Sequence, residues 1–330
     1  MFKRALSLAA LTACVSLATA SHATEIVMTS EVATTHWKTQ YMQTFADRVA
    51  ERTNGAVKAK LFAGGQLYND QDAIAALGTG AVHMVWPVTV RVESIDPRAG
   101  VVNLPFAISD KQMENACFKS GVTKLISSYV EPRNLQVLDF LRTADLFFIF
   151  RDKNVKTQED LNGTKIRVTG GRVFQDMMRN LGVSPVSMAA SEMSTALAQG
   201  AIDGIFTSPA GWAEMIGMTG KYAWHVPGLS VSTYAVVVDK GWLEGLPEDH
   251  RKAIVETIAE IGEHQWKEAI AADEKLIKKM VDAGATFNLA DDASIKRLQA
   301  SIAGSLKGFS DRYPEAVDQL AKLRNECGVN

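Results

Sequence analysis

Gly163-Thr164-Lys165-Ile166-Arg167-Val168 decides the fold: it reads as a short strand that delivers one arginine to the point where the chain turns from strand to helix. Downstream, Val173 to Asn180 reads as a helix closed by Gly182, Val186 to Met188 as a strand, Glu192 to Gln199 as a helix closed by Gly200, and Asp203 to Thr207 as a further strand. Strands alternating with helices form a sheet through crossover connections. An open α/β sheet presents its ligand crevice at the carboxyl ends of its strands, and a guanidinium fork matches a carboxylate in a bidentate way. Arg167 therefore points to recognition of an organic acid.

Upstream the same alternation appears. Glu25 to Thr29 reads as a strand, and Trp37, Tyr41, Phe45 and Val49 recur every fourth residue to make one apolar helix face, ended by Asn54-Gly55. Ala56 to Phe62, Asp70 to Leu77 and Val82 to Trp86 continue as strand, helix and strand, a run that predicts a parallel sheet. Asn134 to Phe140 and Leu146 to Phe150 read as two more strands, and Thr157-Gln158-Glu159-Asp160 resembles a capping box opening the second unit. Thr233 to Val238 is strand-like. From Pro247 a helical pattern runs to about Ala283, roughly 54 Å at 1.5 Å per residue, longer than a domain is wide, so it should lie across both units. The alternative is two helices broken at Gly262, since glycine inside a helix costs about 1 kcal/mol. A final helical region, Ala293 to Leu323, is interrupted near Tyr313-Pro314.

The first residues read as an export signal: Lys3 and Arg4 precede an apolar, small-residue run from Ala5 to Ala18, too short to span a bilayer. Ser21-His22-Ala23 favours cleavage before Thr24, with cleavage after Ala20 as the competing site. Leu11-Thr12-Ala13-Cys14 also resembles a lipoprotein processing box that would leave Cys14 lipid-anchored, although only about nine apolar residues precede it. About 300 residues then remain, suited to two domains. A net charge of −2 with Lys and Glu interleaved shows no basic stripe and argues against nucleic acid as a partner. Cys117 and Cys327 would pair in an oxidising compartment or stay as a buried thiol and a tail thiol.

The whole ordered set then resembles the solute-binding subunit of tripartite ATP-independent periplasmic (TRAP) transporters, the DctP-like family. The resemblance rests on Thr53-Asn54-Gly55, Gly65-Gln66-Leu67, Leu104-Pro105-Phe106, Asp160 through Val168, Ser191-Glu192-Met193, Gln199 through Gly204, and Gly241-Trp242 with Leu246-Pro247-Glu248. It implies two α/β domains, joined by hinge strands and straddled by a long helix, that close on a ligand between them. With residues 1–23 read as the signal peptide, the resemblance makes 24–145 plus 233–272 the first domain and 146–232 plus 273–330 the second. The ligand would be a small organic acid, handed to membrane subunits driven by an ion gradient, with the binding protein a monomer.

By position in the motif, Arg167 looks like the family's carboxylate-binding arginine; the plain alternative is an ordinary salt bridge. Where many members read Asp-Gly-Gln-Glu-Asn-Pro, this chain reads Asp203-Gly204-Ile205-Phe206-Thr207-Ser208-Pro209, so Thr207 or Ser208 would replace an amide as ligand donor, or else cap the helix beginning at Pro209. Ala190 stands where an aromatic often occurs. Trp86 and Trp212 fall near the expected cleft and would stack on a ligand or pack in the core. Asn69, Phe106, Arg91, Arg142 and Tyr234 are further candidates near strand ends or the hinge, and Arg142 as a second cation would suit a dicarboxylate. Its alternative is an exposed charge in a turn.

Catalytic signatures are not found: six scattered His form no HExxH, and neither a GxSxG elbow nor a phosphate-binding glycine loop occurs. His250 and His264 would stand about 21 Å apart on the long helix, too far to share a metal. No cofactor is expected, and a periplasmic hydrolase or lyase is disfavoured. A binding module serving a signalling receptor would use the same pocket.

Overall fold

The computed structural model describes residues 23–329; all but the last residue of the leader expected over 1–23, and with it the Cys14 alternative, lie outside the described residues. The chain begins with β1 (Thr24–Thr29), α1 (Trp37–Arg52), β2 (Val57–Phe62), α2 (Asp70–Ala76) and β3 (Met84–Val85). Two 3₁₀ segments, Thr89–Ser94 and Pro97–Asn103, lead to α3 (Asp110–Glu114), α4 (Ala116–Val130), β4 (Leu135–Asp145) and β5 (Phe147–Phe150). Next come β6 (Lys165–Val168), α5 (Arg172–Asn180), β7 (Ser184–Ser187), α6 (Ala190–Ala198), β8 (Gly204–Thr207), a π-helical stretch Gly211–Ile216, β9 (Tyr222–His225) and β10 (Val231–Asp239). The chain closes with α7 (Lys240–Glu244), α8 (Glu248–Asp282), β11 (Thr286–Leu289), α9 (Asp292–Arg312) and α10 (Pro314–Cys327).

These strands form two sheets, one in the order β2-β1-β3-β10-β4 and one in the order β11-β9-β5-β8-β6-β7. Both are mixed rather than purely parallel as the alternation predicted. β10 returns to the first sheet antiparallel to β3 and β4, and β5 runs antiparallel to β8 and β9. The reason is connectivity: β4 runs straight into β5 past Leu146, so the chain enters the second sheet without a crossover helix to reverse it. Strands β9 and β11, four residues each, carry too little period to be read from sequence and pair only with one another and with β5.

Helix α8 is continuous through Gly262. A Cβ at that position would stand 1.9 Å from Asp139 Oδ2 and 3.1 Å from Lys119 Nζ, so glycine lets the helix lie directly on β4 and its Lys119–Asp139 ion pair. Packing thus outweighs the propensity cost of about 1 kcal/mol. Its first half buries Ile254, Ile258, Ile261 and Trp266 against β4 and α1, with Trp266 Nε1 donating to Phe140 O at 2.8 Å; its far end buries Met280 beside the second sheet.

The C-terminal region breaks at Tyr313-Pro314 as expected, but its two halves part company. α9 packs on α5, while α10 lies on α4, where Cys117 and Cys327 form a disulfide with Cα atoms 5.6 Å apart. Tyr129 donates to Gln319 and Gln112 Nε2 to Val329 O on the same face. α10 was expected with the second sheet; it covers the first.

Candidate functional site

Arg167 is the third residue of β6. Its neighbours Ile166 and Val168 are fully buried in the core, and strand alternation turns the arginine to the other face. The side chain is itself only 1% exposed. Nε and Nη2 donate to the carbonyl of Met188 at 3.1 and 2.9 Å, and among the described residues no carboxylate forms an ion pair with it. Burial pushes the guanidinium down to about 10; Glu31, Tyr234 and Asp70 hold it up and Arg91 opposes them. A buried cation without a counter-ion is costly, and the group that would relieve it is a carboxylate.

Around it stand groups from both sheets. Glu31, just past the carboxyl end of β1, accepts from Asp70 N at 3.0 Å and from Ala190 N at 3.1 Å, the first residues of α2 and α6. Two helix N-termini thus converge on one carboxylate. Lys38 is 1% exposed; its ammonium donates to Trp86 O at 3.2 Å, lies 3.5 Å from Asp70 Oδ1 and sits 4.6 Å from the Tyr234 ring centre. Burial, then Glu31, push Asp70 up to about 6 against the pull of Lys38 and Arg91.

Arg91 and Glu93 lie on the 3₁₀ segment after β3. Arg91 Nη1 donates to Gln71 Oε1 at 2.7 Å, while its buried Nε has no partner. Glu93 Oε2 accepts from Arg172 N at 2.6 Å and Val173 N at 3.4 Å, capping α5 from the opposite sheet, and burial pushes its carboxyl up to about 7 despite those amides. The approach is close. A Cβ on Gly171, whose φ is +74°, would stand 2.2 Å from Val90 Cγ2, so only glycine lets the start of α5 meet this segment.

Of the residues singled out from sequence, Arg167, Arg91 and Tyr234 come together here. Tyr234 is buried on β10, and burial together with Asp70 and Glu31 pushes its hydroxyl up, so it stays a neutral donor. Thr207 ends β8 and is buried; a Cβ on Gly211 would stand 2.3 Å from its Oγ1. Ser208 Oγ accepts from Gly211 N at 3.0 Å, the capping role. Asn69 Oδ1 caps α2 by accepting from Gln71 N and Asp72 N at 3.0 and 2.9 Å. Phe106 sits at φ 57°, its amide bonded to Leu229 O, beside Gly228.

One expectation is corrected, and the two tryptophans take the second of their two readings, a place in the core. Arg142 is no free cation: Nε and Nη2 bond Asp110 at 2.6 and 3.0 Å, and Nη1 bonds Asp273 at 2.5 Å, which ties β4 to α3 and α8. Trp212 has its indole N–H on Gly220 O at 2.7 Å and its ring stacked on Phe287 within the second core. Trp86 is fully buried with its ring edge-on to Phe45 of α1. Both indoles thus take the core role rather than that of a ligand-stacking face. Glu31, Lys38, Asp70 and Glu93 were missed. Glu31 could have been found by the strand-end rule that found Arg167.

Among the described residues no group of His, Cys, Asp and Glu could hold a metal ion, and no helix is long and apolar enough to cross a membrane. Comparison with known proteins gives a family match, bacterial extracellular solute-binding protein, family 7, over residues 28–311. The C4-dicarboxylate-binding periplasmic protein DctP of Rhodobacter capsulatus is 29% identical over 245 residues, 73% of each chain. The 2,3-diketo-L-gulonate-binding periplasmic protein YiaO of Escherichia coli is 25% identical over 279 residues, 84% of each chain. Among solved structures, the sugar acid binding protein DctPAm of Advenella mimigardefordensis in complex with galactonate superposes with a TM-score of 0.86 at 18% identity, covering 92% of this chain and 99% of that one. A TRAP periplasmic solute binding protein of Anaerococcus prevotii with bound glucuronate gives 0.83 at 24% identity, covering 92% and 99%. Because the family match runs from within β1 to within α9, it takes in both sheets and the cleft between them, and this chain belongs to family 7 of the bacterial extracellular solute-binding proteins, the DctP-like solute-binding subunits of TRAP transporters.

Proposed function

We propose that this protein captures a small organic acid by closing its two α/β bodies on it, holds the acid's carboxylate on Arg167, and delivers it to ion-gradient-driven TRAP membrane subunits. The observation that carries this is the Arg167 guanidinium, 1% exposed, without a carboxylate partner among the described residues and depressed by burial. The relatives named above bind C4-dicarboxylates and 2,3-diketo-L-gulonate, which are carboxylates. Arg91 beside Arg167 offers a second guanidinium, suited to an acid with further oxygen acceptors, while Tyr234, Thr207 and Ser208 supply neutral hydroxyls.

In this reading the first body comprises 24–145, 233–272 and α10, and the second comprises 146–232 and 273–312. Their hinge is the continuation of β4 into β5, the return of β9 into β10, and α8. The protein acts by binding and release without turnover, in the periplasm, after removal of a leader before Thr24. Refolded, ligand-free mature protein should show a rise in unfolding midpoint of several degrees with one acid class at about a thousandfold over its Kd, equivalent to about 4 kcal/mol. In Arg167→Met that shift should vanish while the ligand-free midpoint holds or rises, because an uncompensated buried charge is removed. A full shift retained in the variant would overturn the assignment.

A further inference from the structure

Beside the charged cleft, under the middle of α8, lies a half-open pocket of about 280 Å³ between α1, β4 and the π-helical stretch. Its aromatic wall is Trp37 and Tyr41, one turn apart on α1, with ring centres 5.9 Å apart and planes nearly perpendicular. Two hydrogen-bonding atoms of its lining residues are buried and lack partners among the described residues. Thr143 is 5% exposed and its hydroxyl meets no acceptor or donor, and the same is true of Glu214 Oε2. Burial pushes Glu214 up, opposed by the Trp37 amide and Lys279. Glu268 stands at the exposed rim, 3.3 Å from His264, and Lys275 is also there; Asp273 is already taken by Arg142.

The lining therefore asks for a small donor that carries positive charge. Aromatic faces attract a cation, most strongly where water is excluded. An ammonium has three donors and no acceptor, which matches one carboxylate oxygen and one hydroxyl oxygen that both lack partners. A second carboxylate would be repelled by Glu214, and a neutral hydroxyl would satisfy its oxygen without balancing its charge. We propose that this cavity takes the ammonium group of a small aliphatic amine, held by Glu214 and Thr143 over Trp37 and Tyr41.

Tyr234 joins this cavity to the acid site. Its ring meets Trp37 edge-on at 5.5 Å, and its hydroxyl feels the charges of Asp70, Glu31 and Arg167 and also that of Glu214. The ammonium therefore arrives either on the molecule whose carboxylate Arg167 holds, making the ligand an amino acid with separated charges, or as an independent amine. The first case rests on the acid-binding function proposed above; the second does not.

Calorimetric titration of refolded protein with three length-matched series tests this: unbranched monocarboxylates, ω-amino acids and n-alkylamines, each also against Glu214→Gln, Glu268→Gln and Arg167→Met. Binding of ω-amino acids about tenfold or more tighter than of monocarboxylates, with the gain lost in Glu214→Gln, supports one ligand bridging both sites. Alkylamine binding that survives Arg167→Met and weakens in Glu214→Gln supports an independent amine site, even if no carboxylate binds. The proposal is overturned if neither amine series gains over the monocarboxylates, or if the gain is indifferent to Glu214→Gln. Glu268→Gln, on the exposed rim, should fold normally and reduce amine affinity a few-fold; an unchanged affinity there together with an unchanged one in Glu214→Gln would also overturn it.

Discussion

Glu31 and Ala190 meet across the cleft: the Glu31 carboxylate accepts the Ala190 amide at 3.1 Å with one oxygen while its other oxygen holds the Asp70 amide at 3.0 Å. One side chain thereby joins the first turn of a helix on each sheet, and both contacts run with the helix dipoles. In the closure proposed above, the two contacts exist together only in the closed form.

Glu31→Gln removes the charge and one of two acceptors. Hydrogen bonds to a charged group contribute about 1.5–3 kcal/mol, so the bound acid should dissociate about tenfold faster or more, with little change in association. Stopped-flow displacement measures this. An unchanged dissociation rate would mean that Glu31 does not hold the closed state.

Glu93 is the group expected to set the pH dependence of the proposed closure. Its carboxyl, ordinarily near 4.5, is pushed up to about 7 by burial where it caps α5, and Asp70 rises to about 6 for the same reason. Raised carboxyl pKa values mean that the closed form holds protons the open, hydrated form releases, so closure is fully favoured below the ordinary carboxylate range and loses this contribution as pH rises through about 7. Ligand affinity should therefore fall between about pH 5 and pH 8, with proton uptake on binding near pH 6. Glu93→Gln, which keeps an acceptor for the Arg172 and Val173 amides, should flatten the upper part of that profile. A profile that rises with pH would contradict the assignment.

Arg142 is a structural residue. Arg142→Ala leaves Asp110 and Asp273 without their common cation, and Asp273 is already pushed up to about 6 by burial. Loss of one partner from a buried ion network costs about 3–5 kcal/mol, so the unfolding midpoint should drop strongly while acid affinity at low temperature is retained. Calorimetry with titration separates the two effects; a selective loss of affinity would return Arg142 to the ligand.

Gly262→Ala should destabilise the protein although alanine is the better helix former by about 1 kcal/mol. The added Cβ meets Asp139 Oδ2 at 1.9 Å and crowds the Lys119–Asp139 pair. Denaturant unfolding should show a lower midpoint, relieved when Asp139→Ala is added; stabilisation by the single change would mean that α8 does not seat on β4 so closely.

Much of this molecule was legible because the relevant interactions are local. Four-residue spacing of Trp37, Tyr41, Phe45 and Val49, glycines after helix ends, and the strand that carries Arg167 each report on neighbours in the chain. Glu31, Lys38 and Asp70 were not legible, since each by itself looks like an ordinary surface charge, and Lys38 sits next to the apolar stripe of its own helix. Arg142 was misplaced, and Trp212 left open between cleft and core, for the complementary reason: Asp110 and Asp273 lie 32 and 131 residues from Arg142, and Phe287, which stacks on Trp212, belongs to a strand with almost no period of its own.

By itself the sequence determined two α/β units, the strands that connect them, a helix long enough to cross both, and an arginine at a strand end, because backbone periodicity, caps and glycines act over a few residues. Only the tertiary structure decided which charges are paired and which are left for a ligand. A guanidinium is structural or functional according to whether a carboxylate reaches it, and burial sets the cost of leaving it unpaired: Arg142 meets two, and Arg167 meets none among the described residues.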